Sequence, residues 1–344
     1  MSAAEQARAD KSAGAGEKAR TGGTIFYFDA HGHREGLLPK ALRLVPGNTI
    51  PEDLRLADLA RARLGGLVLC VLGDPNSFLP IKIDPYANVL KRLKTAKSTV
   101  AEAGGIIARG SGALEAAREK ETTAFLLGIE GGDFVGERID RIDAVFEEGV
   151  RLIGLVHYSR NKLGSISYGW GGRVVPQAER TGLTGLGKEA IARANKLGVI
   201  VDLAHADDET IRDALAVSEA PMICSHTGPR ALQAFPRYIP DELIRGIADG
   251  GGIIGLWPFF DKGVGVPDLA TFAEYAAYCA DLVGSEHLAI GSDCNGVPGY
   301  MSGYRNLLDA PKISAALEER GFSADEIAGI AGRNLLRFFG KVTR

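Results

Sequence analysis

Short, strongly apolar runs rich in β-branched residues recur along the chain, and helix-like segments fill the intervals between them. There are eight: residues 25–33 (IFYFDAHGH), 65–73 (GGLVLCVLG), 123–132 (TAFLLGIEGG), 151–159 (RLIGLVHYS), 198–205 (GVIVDLAH), 220–226 (APMICSH), 252–259 (GIIGLWPF) and 287–296 (HLAIGSDCNG). Such alternation is the pattern of parallel strands joined by crossover helices, and eight strands close a barrel. The segments 87–103, 187–197 and 269–282 carry apolar residues at spacings of three and four, which predicts helices. Thr184 and Asp207 are placed as N-terminal caps, and Gly104, Gly198 and Gly284 stand where helices should stop. The longer loops 74–85 and 162–183, rich in Gly, Pro and polar residues, are expected to build the rim of a barrel. A doubly wound sheet is the alternative. It is disfavoured because the glycine-rich stretches 169–172 and 182–187 follow no strand directly and lack the dinucleotide-binding spacing.

Length and composition narrow this picture. No low-complexity linker divides residues 24–344, which read as one (β/α)8 barrel domain. Residues 1–23, rich in Ala, Gly, Lys and Glu, hold no apolar run long enough for the centre of a signal peptide and are expected to be a mobile extension. The closing stretch RNLLRFFGKVTR reads as an amphipathic helix and resembles no membrane anchor. A net charge of -3, with 45% hydrophobic and 24% charged residues, is ordinary for a soluble globular protein and gives no electrostatic footprint for nucleic acid or membrane. The four cysteines, Cys70, Cys224, Cys279 and Cys294, show no Cys-x-x-Cys spacing, so a reducing, cytoplasmic location is expected.

The candidate chemistry lies at the ends of the predicted strands. Five of the six histidines, His31, His33, His157, His205 and His226, fall at or near the C-terminal end of a strand. His31 and His33, two residues apart, leave one face of an extended strand about 6 to 7 Å apart and can address one target. Glu130 and Asp293 close strands three and eight. Seven side chains able to bind metal or move protons would thus converge on one barrel mouth, where barrel enzymes place their chemistry. His287 lies at the opposite end of strand eight and takes no catalytic role. Imidazole and carboxylate ligands suit zinc and related ions, and His31, His33, Glu130, His205, His226 and Asp293 are too many for one tetrahedral site. Two divalent ions sharing a carboxylate would use them all. Such a pair generates hydroxide at neutral pH and polarises a carbonyl or phosphoryl oxygen, so hydrolysis is the expected chemistry. A Ser-His-Asp triad lacks support, since no Gly-x-Ser-x-Gly elbow occurs.

Several motifs make the chain resemble the membrane (renal) dipeptidases, zinc metallopeptidases with an amidohydrolase-like barrel. They are Gly128-Ile-Glu130-Gly-Gly132, Asp202-Leu-Ala-His205, Cys224-Ser-His226-Thr227, Arg237-Tyr-Ile-Pro-Asp241, Ile290-Gly-Ser-Asp293 and Gly332-Arg-Asn-Leu-Leu336. The resemblance implies that Glu130 bridges two zinc ions, with His205 and His226 completing one site and His31 in the other. It further implies that Asp293 beside the second site handles the proton for the leaving amine, that His157 steadies the oxyanion, and that Arg237 holds the substrate carboxylate, with Arg230 a nearby competitor. A homodimer is also what the resemblance suggests.

Two departures stand out. Where the family usually has Asp-Gly-His-x-Asp, this chain has Asp29-Ala-His31-Gly-His33, and Asn295 stands where a second aspartate is common. Both remove negative charge from the mouth. The resulting expectation is a binuclear metal-dependent hydrolase acting on dipeptides through a metal-bridging hydroxide. The alternatives are a related enzyme acting on an N-acyl amino acid, a cyclic amide or a lactone, and a non-catalytic barrel that only binds metal or peptide.

Overall fold

The computed structural model of the chain describes residues 25–36, 51, 53–62, 65–74 and 84–343. The predicted extension 1–23 and most of the predicted rim loop after Asp74 lie outside them. Eight parallel strands run in sequence order around a barrel: β1 (Tyr27–His33), β2 (Gly65–Leu72), β3 (Ala124–Glu130), β4 (Val150–Gly154), β5 (Ile200–Asp202), β6 (Ile223–Thr227), β7 (Ile253–Leu256) and β8 (Leu288–Ile290). Just past β8, Cys294 bridges to Gly32, and the His33 amide donates to the Cys294 carbonyl at 2.7 Å, which joins the last strand to the first. Each predicted strand is present. The apolar runs extend beyond several of them at the C-terminal end because the chain there leaves extended geometry. His205 and Asp293, at φ of 70° and 51°, stand three residues past β5 and β8.

Residue alternation sorts the side chains into two layers. Phe28, Ala30, Val68, Cys70, Leu126, Leu152, Ile200, Ile223, Ile253 and Ala289 pack together inside the barrel. Leu67, Leu69, Phe125, Leu127 and Ile129 face outward to the surrounding helices. The closing helix, Asn334–Val342, sets Leu335, Leu336, Phe338 and Phe339 against the inner cluster, with Phe339 edge-on to Phe28 at 5.7 Å. This apolar plug seals the end opposite the mouth. Fully burying each such side chain is worth roughly 1.5–3 kcal/mol.

The helix ends follow the local chemistry read from the sequence. Thr184 accepts from the Gly187 amide at 3.0 Å at the head of Gly185–Leu197, and Asp207 accepts from Thr210 at 2.8 Å at the head of Asp208–Val217. Gly198 ends the first of these in the left-handed region at φ 72°, which an L side chain would strain. The rim loop after Lys162 carries a short antiparallel pair, Tyr168–Gly169 with Arg173–Val174. Among the described residues no helix is long and apolar enough to cross a membrane.

Candidate metal centre

Strict alternation along β1 would defeat the site. Phe28 and Ala30 point inward, so His31 and His33 should point outward. The pairing of β1 with β2 passes from Asp29–Leu67 to Gly32–Leu69, so three residue steps of β1 stand against two of β2. This bulge reverses the facing and turns both imidazoles into the mouth. Strand β6 does the same: pairing with β7 passes from Cys224–Ile254 to Thr227–Leu256, and the irregularity lies under Ser225 and His226. Asp29 anchors the first bulge. Its carboxylate accepts from the His31 amide at 3.1 Å and the Ser292 amide at 2.9 Å, and also takes the Ser292 hydroxyl. Burial pushes its pKa up to about 6, with the Ser292 hydrogen bonds opposing the rise.

Glu130, at the end of β3, is the hub. Its Oε1 lies 3.3 Å from His31 Nε2, 3.0 Å from His205 Nε2 and 3.7 Å from His226 Nε2. Its Oε2 lies 3.3 Å from His33 Nε2 and 3.4 Å from His157 Nε2. His31, His33 and Glu130 form one group with ligand spacing, and Glu130, His205 and His226 form another, all buried. Asp293 Oδ1 stands 3.3 Å from His33 Nε2 and 4.0 Å from His31 Nε2. The structure thus brings together all six residues expected as ligands, with Asp293 beside the His31–His33 half.

The donor chemistry fits divalent cations. His31 Nε2, His33 Nε2, both Glu130 oxygens and Asp293 Oδ1 are buried without hydrogen-bond partners. Leaving such groups unpaired costs roughly 1–3 kcal/mol each, more for charged ones, so a native fold keeps them for a purpose. His205 Nε2 and His226 Nε2 sit 3.1 Å apart, close enough to share one cation. Burial, reinforced by Arg237, holds the pKa values of His205 and His226 well below the usual imidazole range, so both present free lone pairs. For Glu130, burial alone would raise the pKa, but His157 and His31 hold the carboxyl well below its ordinary range and keep it anionic.

The other expected residues divide. His157, three residues past β4, turns Nε2 to Glu130, while its Nδ1 meets Asp74 Oδ2 at 3.1 Å. Burial works against its proton, but Glu130 and Asp74 outweigh that and raise the pKa. Arg237 is buried; its guanidinium lies 5.2 Å from the Trp257 ring, and Nε and Nη2 have no partner. Arg230, its expected competitor, forms a bidentate pair with Asp208 at 2.5 and 2.8 Å and donates to the Tyr238 carbonyl. His287 lies in the turn before β8, with Nδ1 2.8 Å from the Gly252 carbonyl. Sequence reasoning missed Asp29, Asp74 and Asp202, which hold or approach the backs of His31 and His157, and the Trp257 ring stacked near His226 and Phe259. A signal existed for the first and third, since each precedes a ligand histidine by two or three positions.

Known proteins resemble this chain in sequence and in fold. The chain is 32% identical over 222 residues to dipeptidase aclJ of Aspergillus oryzae, a match taking in 63% of this chain and 51% of that protein. The chain spans about half the length of the curated relatives it matches. Two crystal structures share the fold. The probable dipeptidase PvdM of Pseudomonas aeruginosa has a TM-score of 0.77 at 22% identity, covering 99% of this chain and 98% of that one. A metallopeptidase of Rhodobacter sphaeroides, liganded with a phosphinate mimic of the dipeptide L-Ala-D-Ala, has a TM-score of 0.77 at 18% identity, covering 93% and 100%. A family model described as membrane dipeptidase (Peptidase family M19) matches residues 54–344, most of the barrel, and the chain belongs to that family.

Proposed function

We propose that the chain is a metallo-dipeptidase that holds two divalent ions, expected to be zinc, and hydrolyses the amide bond of a dipeptide. One observation carries the reading: the buried carboxylate of Glu130 has both oxygens unpaired and ringed by the Nε2 atoms of five histidines. His31, His33 and Glu130 would hold one ion with Asp293 alongside, and Glu130, His205 and His226 the other. Imidazole-rich ligand sets suit zinc. When bound, the pair supplies a nucleophile from water at neutral pH and polarises the scissile carbonyl.

The residues around the centre supply the rest. Arg237, buried beside the Trp257 ring with two unpartnered donors, is suited to anchor a substrate carboxylate and so fix the reacting bond. His157, with Nδ1 on Asp74 and Nε2 turned to the centre, is placed to donate from Nε2 to the developing oxyanion. Asp293, its Oδ1 free at the edge of the ligand set, is suited to take a proton and deliver it to the leaving amine. All four cysteines are free and buried, which supports a cytoplasmic setting. The test is a panel of dipeptides and acyl amino acids offered to chelated protein before and after Zn, Mn or Co is restored. Dipeptide turnover returning with metal is the expected result. A fully metallated protein that cleaves no dipeptide would overturn the assignment.

A further inference from the structure

Behind the two halves of the centre lies one hydroxyl. Ser225 Oγ is 3.2 Å from His31 Nδ1 and 2.9 Å from His226 Nδ1, so it touches one histidine of each group. The two imidazole rings lie 4.4 Å apart and close over it. Both rings turn Nε2 to Glu130, and a neutral ring with a free Nε2 lone pair carries its proton on Nδ1. Two N–H groups therefore aim at one oxygen. A serine oxygen has two lone pairs and can accept both, which leaves its own proton for a third partner. Asp202 is the acid on that side: its Oδ1 accepts from the Ser225 amide, and its Oδ2, placed to take the hydroxyl proton, lies 3.9 Å from His31 Nδ1. Asp202 is itself held, with Oδ1 accepting from the Ala204 amide at 3.0 Å and the Ser225 amide at 2.9 Å.

The surroundings leave Ser225 little freedom. It is fully buried on the β6 bulge. A Cβ added to Gly255 on β7, or to Gly291 just past β8, would lie 1.8 Å from the Ser225 carbonyl oxygen, so the backbone on that side is tightly packed. The Cys70 thiol, 3.6 Å from His31 Nδ1, is the other group on that side and is a weak partner for an N–H.

We infer that Ser225, with Asp202 behind it, is a positioning residue shared by both metal sites, one hydroxyl setting the tautomer and orientation of His31 and His226 together. This inference rests on the two-ion reading above. Outer partners of metal-binding histidines typically change metal affinity about 10- to 100-fold when removed. Here a single residue should affect both sites.

The experiment is a Co²⁺ titration of the chelated full chain, read by visible absorption, with both dissociation constants fixed by competition against a chromophoric chelator. Ser225→Ala should weaken both constants, each by about 10- to 100-fold. Asp202→Asn provides a second, volume-conserving variant. Its amide oxygen must stay on the two backbone N–H groups, so its nitrogen faces Ser225 and leaves the hydroxyl proton without an acceptor; both constants should weaken again. Far-UV circular dichroism of the chelated proteins shows which variants fold, and Asp202→Asn decides if Ser225→Ala does not. Wild-type constants in the folded variants, or a change confined to one site, would overturn the inference while leaving the two-ion reading intact. A wild-type protein binding fewer than two ions would overturn both.

Discussion

At the scale of single residues, the two arginines show how contacts separate neighbouring candidates. In the sequence, Arg237 has the better context, immediately before Tyr-Ile-Pro-Asp241, and Arg230 stands seven positions earlier as its competitor. In the structure, Arg230 is tied to Asp208, whereas Arg237 is buried with two free donors beside the histidine cluster. Arg237→Ala should therefore lower kcat/KM for substrates with a free carboxylate by about 100-fold, the scale of losing a charge-assisted contact worth roughly 2–3 kcal/mol. Neutral amides should be spared, and steady-state kinetics on matched amide and acid substrates measures the difference. Asn295 is another case. Its amide donates to the His33 carbonyl at 2.9 Å and the Leu54 carbonyl at 3.0 Å while accepting from the Leu54 amide at 2.8 Å. An aspartate could not make both donations, so this departure from the family pattern has a structural role of its own. The candidate ligand histidines stood out in the sequence because they cluster at strand ends. Asp74 did not, since a buried carboxylate with no such histidine near it in sequence reveals its role only through the group it holds.

At the scale of elements, strand order and helix ends follow from the periodicity, but the facing of the ligands does not. A period of two predicts that His31 and His33 share a face, which they do. It cannot predict that the face is the inner one, because that depends on the bulge after Asp29. The short reach of β5 was likewise hidden by Leu203 and Ala204, which continue the apolar run past the strand. Charge placement sets a separate property of the helix Ala310–Glu319. Asp309, at its head, pairs with Arg305 and Lys312 at 2.8 Å. Partial burial opposes ionisation there, but those two cations prevail and hold the pKa down to about 2. A folded-state pKa below the unfolded value of roughly 4 stabilises the fold fully above that pH, and the stabilisation disappears as pH falls towards about 2. Asp309→Asn should thus lower the melting temperature at pH 7, and the gap to wild type should narrow steadily below pH 4 in thermal scans.

At the scale of the whole molecule, the barrel makes the centre. Residues 262 positions apart, His31 and Asp293, meet because the last strand closes on the first through Gly32 and Cys294. The apolar plug of Asn334–Val342 fills one end, which leaves the polar residues gathered at the other. That architecture was legible from eight apolar runs and their intervening helices, since topology rules admit few other arrangements. The central claim is that Glu130 joins two ion sites, and elemental analysis of metal bound per chain tests it most directly. The account predicts two divalent ions per wild-type chain and loss of both from a folded Glu130→Ala variant. One ion in the wild type, or two retained by the variant, would contradict it.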